Sequence, residues 1–356
     1  MAAPRRDAGP AGMSDSPTGL AGRRILITGG LGFIGSNLAH ALVQHGAEVA
    51  LVDALVAEHG ANRHNIAGLE GRVAVHSLDL RDGERLGPVL DGIDTVFNLA
   101  GQTSHLDSMN NPRLDLEYNC AAQLSLLEAC RRHAPAARIV FASTRQIYGK
   151  PHYLPVDETH PLSPVDINGV NKLAGEYYHR LYSEIYGIPS VSLRLTNIYG
   201  PRMRIKDARQ TFLGTWIRCV LTGAPIEVWG GEQLRDLVYV DDAVSALIAA
   251  VGLTGRNGGI FNVGGTERVS LRDLANQLIQ LNGAGTVHVR SFPEDRKKID
   301  IGDYYADSGR LHAATGWQPQ TSLEAGLRAT LAYFRTQLEH YLPEPPRHQP
   351  ASAPQR

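Results

Sequence analysis

The sequence predicts an α/β fold, a doubly wound and mainly parallel sheet with a smaller C-terminal lobe. Three observations lead there. Short apolar runs alternate with helical stretches as far as Leu195, the pattern of strand–helix–strand units in a parallel sheet. A glycine-rich turn, Gly29-Gly30-Leu31-Gly32-Phe33-Ile34-Gly35, joins the first apolar run to the first helical stretch. The alternation breaks beyond Tyr199-Gly200-Pro201, which marks a second lobe.

The elements follow in order. Ile25-Leu26-Ile27-Thr28 reads as a buried strand, and residues 36–45 as a helix. Gly29 permits the tight turn off the strand. Gly32 lets the backbone approach a phosphate with no Cβ in the way, and Gly35 lets the helix lie close to the sheet. The helix N-terminus offers free N–H groups to phosphate oxygens. A second strand, Glu48-Val49-Ala50-Leu51-Val52, ends on Asp53, placed to accept hydrogen bonds from two ribose hydroxyls. This is a Rossmann-type dinucleotide unit, with Gly29, Gly32, Phe33, Ile34, Gly35 and Asp53 assigned to NAD.

Residues 73–80 read as a third strand, 83–90 as a short helix and 95–100 as a fourth strand. Residues 114–133 read as one long amphipathic helix and 138–143 as a fifth strand. Residues 168–186 read as a second long helix and 190–195 as a sixth strand.

Bulk properties bound the function. The 356 residues are 43% hydrophobic, enough for a large core. A net charge of −1 gives no reason to expect nucleic acid or a membrane surface as partner. Cys120, Cys130 and Cys219 show no metal-ligand spacing, and so sparse a set fits thiols in a reducing cytoplasm. No apolar run approaches the ~20 residues needed to span a bilayer. Residues 1–22 read as a disordered leader, and 341–356 as a proline-rich flexible tail.

Nine further pieces appear in a fixed order. They are Thr28 to Gly35, Asp79-Leu80-Arg81-Asp82, Asn98-Leu99-Ala100-Gly101-Gln102, Ser143-Thr144-Arg145-Gln146-Ile147-Tyr148-Gly149, Asn168-Gly169-Val170-Asn171-Lys172, Arg194 to Arg202, Arg235 to Asp242, Phe261-Asn262-Val263-Gly264 and Thr315-Gly316-Trp317-Gln318-Pro319. Together they resemble the extended short-chain dehydrogenases/reductases, in the nucleotide-sugar epimerase/dehydratase branch. The likeness runs from about Arg24 to about Leu338.

The resemblance implies NAD rather than NADP, since no arginine follows Asp53 before Arg63. It places Asp79 and Leu80 against the adenine, Ala100 and Gln102 along the cofactor cleft, and Asn119 near the active site as a further cofactor contact. Asn197 and Arg235 would hold the diphosphate of a nucleotide-diphosphate sugar, with Thr144 and Arg145 also on the substrate. It implies a lobe for NAD over 23–200, with 235–265 returning to it, and a sugar-nucleotide lobe from 201–234 and 266–340. It further implies a homodimer formed through the two long helices.

The family's catalytic set is a Ser or Thr, a Tyr and a Lys. The Tyr takes a proton from a sugar hydroxyl as hydride passes to NAD, and a Lys four residues on lowers the phenol's pKa. Thr144 and Lys172 match, but Asn168 stands at the tyrosine position. An asparagine amide does not titrate near neutral pH. Three readings follow. Another group replaces the tyrosine (Tyr148, His105 or Lys172), the chemistry differs and Asn168 only orients the sugar, or hydride transfer is lost. A second departure is Asp300-Ile301-Gly302-Asp303, where many relatives carry Arg-x-Gly-Asp. Arg296, Lys297 or Lys298 upstream would then supply the positive charge. The sequence reads best as an NAD-dependent epimerase. The alternatives are a dehydratase, which Arg145-Gln146 in place of an acidic pair disfavours, and a non-catalytic binding protein.

Overall fold

The computed structural model describes residues 17–209, 211–253, 259–292 and 300–342. Seven parallel strands form the central sheet: β1 (Arg24–Thr28), β2 (Glu48–Asp53), β3 (Val73–Ser77), β4 (Thr95–Asn98), β5 (Arg138–Thr144), β6 (Ser190–Leu195) and β10 (Gly259–Val263). Their order is β10-β6-β5-β4-β1-β2-β3. Both faces are covered over the central strands, so β1, β4, β5 and β6 are buried along nearly their whole length, while the edge strand β3 is partly exposed. Ile25 and Ile27 of β1 join one core with α1 (Phe33–Gln44) and α8 (Val240–Ala250). Leu26 points the other way, into a second core with α5 (Ala122–His133).

The helix expected over 114–133 is interrupted. Helix α4 (Pro112–Leu116) runs into a π turn, Glu117–Ala121, before α5 begins. Such turns open the helix at functional sites, and Asn119 sits in this one. Residues 105–110, which sequence reading left without structure, form α3 (His105–Asn110), capped by the Ser104 hydroxyl. Helix α6 (Ile167–Tyr186) starts where the Asp166 carboxylate accepts the Gly169 N–H at 2.7 Å. It ends at Gly187, whose φ of 71° gives the left-handed C-cap.

The second lobe is built from α7 (Phe212–Thr222), β8 (Ile226–Trp229), α9 (Leu271–Asn282), β12 (Val287–Arg290) and a helix over Leu323–Gln337. Strands β8 and β12 pair in parallel. Of residues 235–265, β10 joins the central sheet and α8 packs against α1. Strand β9 (Leu234–Tyr239) instead lies between β7 (Asn197–Tyr199) and β11 (Arg268–Ser270) in a separate small sheet.

Parts of the two ends expected to be flexible lie among the described residues. Pro17–Leu20 form a turn, and Leu20 is buried in the main core. Tyr341 donates to Asn65 Oδ1 at 2.7 Å, which ties the end of the described chain to the first lobe.

Candidate active site

The strand order reverses between β1 and β4, and loops leaving such neighbours diverge to open a crevice. Gly29 lies there at φ 68°, where a Cβ would press the Ala100 backbone at 3.1 Å. A Cβ on Gly35 would lie 2.3 Å from Gly29 O, so only glycine lets α1 start this close to the turn. Around Gly32 a Cβ would meet Gly29 O alone, at 3.2 Å, and its cleft side is open. Phe33 and Ile34 line the same cleft.

Asp53 accepts the Leu31 N–H at 3.0 Å and the Leu55 N–H at 2.8 Å, which bonds its carboxylate to the glycine turn. Burial raises its pKa, and the two N–H donors oppose that. Asp79 and Leu80 line the cleft beyond it. Arg81 grips Asp79 at 2.7 Å, also reaches Glu117, and lies over the Tyr118 ring at 4.6 Å. This cradle of open glycines, an N–H-rich helix start and an acid at the end of β2 fits a dinucleotide.

Ala100 and Gln102 line the cleft as expected. Asn119 does not. It is fully buried behind Gly101, and its amide donates to the Gln102 carbonyl at 3.1 Å. Its expected contact with the cofactor is therefore corrected to support of the Gln102 loop. Asn119 Oδ1 has no hydrogen-bond partner. A Cβ on Gly101 would lie 2.6 Å from that oxygen and 3.0 Å from Lys172 Nζ. Glycine is what lets these two side chains come up behind the loop.

Thr144, at the end of β5, and Lys172, on α6, both line the cleft. Lys172 Nζ donates to Ala142 O at 3.3 Å and lies 5.2 Å from the Phe141 ring centre. Burial pulls its pKa down to about 8, with Asp115 acting the other way. Asn168 is 1% exposed. Its amide donates to Gln102 O at 2.8 Å and to Asp115 Oδ2 at 3.0 Å. Both partners are acceptors, so the NH₂ must face them. Asn171 donates to the other Asp115 oxygen at 2.8 Å.

Tyr148 is a correction. It is fully buried and lies outside the cleft lining. Its hydroxyl donates to Asn262 Oδ1 at 2.6 Å and accepts from Arg194 at 2.7 Å. Burial pushes its pKa up to about 12. It is a strut of the core, and the spacing of four from Thr144 did not reveal that the 3₁₀ turn Arg145–Tyr148 rotates it inward.

His105 does line the cleft. Its Nδ1 is hydrogen-bonded to Asp166 Oδ2, and its Nε2 faces the Gln146 amide. Burial acts to raise the Asp166 carboxyl, but the hydrogen bond and charge of His105 outweigh it and hold the pKa below the ordinary value.

The far end of the cleft is cationic. Arg145 reaches Asn197 Oδ1 at 3.4 Å and lies 5.0 Å from the Tyr304 ring centre. Arg235 is buried and donates to the backbone carbonyls of Leu234 and Gly302. Burial and the Arg145 charge lower its pKa to about 10. Asp300, at the departed motif position, lies 3.8 Å from Arg235. Arg296, Lys297 and Lys298 lie outside the described residues. Arg145, Asn197, Arg235 and Asp300 line the same continuous cleft as Asp53, Thr144 and Lys172, about 980 Å³ in volume. Among the described residues no cluster of His, Cys, Asp or Glu could hold a metal, and no helix is long and apolar enough to cross a membrane.

Residues 25–264 match the model of the NAD-dependent epimerase/dehydratase family. The chain belongs to this family. It is similar to the putative UDP-glucose 4-epimerase of Methanocaldococcus jannaschii, with 29% identity over 87% of this chain and 98% of that one. It is 31% identical to UDP-glucuronic acid decarboxylase 1 of Xenopus tropicalis, over 91% of this chain and 76% of that one. The crystal structure of the Thermotoga maritima UDP-glucose 4-epimerase with UDP-glucose superposes with a TM-score of 0.80. There the identity is 29%, over 89% of this chain and all of that one.

Within this NAD-dependent epimerase/dehydratase, sequence reading missed Asp115 and Asp166. Asp166 could have been found, because an aspartate just before a helical pattern signals an N-cap. Asp115 could not, because only tertiary packing brings it to Asn168.

Proposed function

We propose that the protein is an NAD-dependent epimerase of nucleotide-diphosphate sugars. One observation carries this reading. A single cleft runs from the Gly29–Gly35 turn and Asp53, past Thr144 and Lys172, to Arg145 and Arg235. A dinucleotide and a sugar nucleotide would meet at Thr144.

Bound NAD supplies a hydride acceptor that returns the hydride, so the sugar is oxidised and reduced within one site. The N–H groups of residues 29–32 are hydrogen-bonded within the protein, so the N–H groups at the start of α1 would meet the pyrophosphate, and Asp53 would take the ribose hydroxyls. No cation adjoins Asp53 in the chain to neutralise a 2′-phosphate. Thr144 hydrogen-bonds the reacting oxygen. Lys172 holds the nicotinamide ribose and places a positive charge beside the oxygen as it ionises. Arg145 and Arg235 are two cations lining one pocket, and the Arg145 charge lowers the Arg235 pKa, which an anion bound there would offset. A diphosphate meets that need. Asn168 orients the Gln102 loop and moves no proton.

A dehydratase reading needs an acid/base pair beside Thr144, and Arg145 and Gln146 occupy those positions. A second copy of this chain would cover Val170, Tyr177, Leu181 and Ile185, which form an exposed apolar stripe on α6. A cytoplasmic location agrees with three cysteines that are all free.

The purified protein should be incubated with NAD and a panel of nucleotide sugars, with products read by NMR. An epimer of one substrate supports the proposal. A product lighter by water or carbon dioxide would replace it with another reaction of the family. Sugar-nucleotide binding without turnover would favour the non-catalytic alternative.

A further inference from the structure

The reacting hydroxyl must lose a proton when its carbon loses hydride. Asn168 has no titratable group, and Tyr148 is sealed in the core. The cleft holds one imidazole already oriented by a carboxylate. His105 Nδ1 is bonded to Asp166 Oδ2, and the other Asp166 oxygen caps α6 through the Gly169 N–H. The Asp166 side chain is 3% exposed, while His105 is 39% exposed. The acid is therefore fixed and the ring reaches the cleft. A carboxylate on Nδ1 keeps the proton there and leaves the lone pair on Nε2.

Nε2 faces the Gln146 amide. Gln146 Oε1 is buried with no hydrogen-bond partner, so this side chain is only half satisfied. A buried, unpaired amide oxygen is costly, so the Gln146 side chain is held weakly where it stands. Gln146 is tied to Thr144 through its own backbone N–H, which donates to Thr144 Oγ1 at 3.3 Å. His105, Gln146 and Thr144 thus border one small patch of the cleft wall.

We propose that His105 is the proton-transfer residue of this active site and that Asp166 is its positioning residue. The proposal rests on the epimerase reading above. In the forward step the sugar O–H bond breaks and its proton passes to His105 Nε2. The C–H bond breaks, its electron pair leaves as hydride to the nicotinamide, and a C=O bond forms. In the return step hydride reaches the opposite face of the carbonyl carbon, and the proton on Nε2 returns to the oxygen. His105 and NAD end as they began. Gln146 yields its hydrogen bond to Nε2 as the hydroxyl enters.

The test uses the full chain with bound NAD and the nucleotide sugar that wild type turns over. His105→Gln should lower turnover by about 10²–10⁴-fold, the scale of a lost general base. The affinity for the sugar nucleotide should stay within a few-fold. Added imidazole should restore part of the turnover of His105→Gly, which a merely structural role would not allow. Asp166→Asn keeps a capping oxygen for α6 and should lower kcat at least tenfold with KM little changed. Turnover of His105→Gln within threefold of wild type would overturn the proposal. So would His105→Gly that binds both ligands but gains nothing from imidazole. A wild type that turns over no sugar in the panel overturns the epimerase reading and this proposal with it. An active wild type with an active His105→Gln overturns this proposal alone.

Discussion

Asn168 Nδ2 lies 3.0 Å from Asp115 Oδ2, deep in the wall between α4 and α6. Asn168, read from the sequence as standing at the family's tyrosine position, is thus committed to a buried carboxylate. Asp115 is 1% exposed and takes its second hydrogen bond from Asn171. A buried carboxylate stripped of one donor is strongly destabilising. The asparagine and the aspartate therefore make sense only together.

Asn168→Tyr should not restore a tyrosine enzyme. It overfills a buried site, at about 1–3 kcal/mol, and removes the donor that Asp115 needs. The expected loss is about 2–4 kcal/mol of unfolding free energy in urea titration. Removing the carboxylate as well, in Asn168→Tyr/Asp115→Ala, should return part of it. Equal losses in the single and double variants would contradict this coupling.

Tyr148→Phe should retain turnover within a few-fold and lose stability. The hydroxyl serves Asn262 and Arg194 in the interior, and leaving both without it costs about 1–3 kcal/mol. A drop in turnover of a hundredfold, with NAD binding intact, would return Tyr148 to the active site.

Lys172 gives a prediction with a pH signature. Its folded pKa, about 8, lies below its ordinary 10.5. Below pH 8 both the folded and unfolded chains carry the proton, and the folded chain bears the full cost of a buried charge. Between about pH 8 and 10.5 the folded lysine loses its proton while the unfolded one keeps it, so this cost fades as pH rises. Lys172→Met should therefore be more stable than wild type by about 1–3 kcal/mol at pH 7. The advantage should shrink towards pH 10, and turnover should be lost. An advantage that grows with pH would contradict the assignment.

Arg235→Ala should weaken sugar-nucleotide binding by about 2–4 kcal/mol in calorimetry, since it strips one cation from a buried anion site. NAD affinity should hardly move. Equal loss of both ligands would make Arg235 a structural residue, bracing Leu234 and Gly302.

Much of this was legible in the sequence. The glycine turn, Asp53 and the alternating strands are local patterns, and the first lobe follows from them. Thr144 and Lys172 were read from the resemblance, and both line the cleft. Tyr148 was read by its spacing of four from Thr144, whereas a 3₁₀ turn carries it inward; Asn119 was read from the resemblance, and it sits buried in a π turn. The His105–Asp166 pair joins residues 61 positions apart, and no local pattern encodes such a contact. The burial of Leu20 and the Tyr341–Asn65 hydrogen bond are similar, because both residues look like tail residues until their partners are known.

The central claim is that hydride leaves a sugar carbon and returns to it within one cleft. A nucleotide sugar deuterated at the reacting carbon tests this most directly. The account predicts an epimer of unchanged mass that keeps its deuterium, formed without free NADH and without exchange into solvent. Loss of the label to water during epimerisation would mean that the carbon is deprotonated rather than oxidised, and would contradict the account.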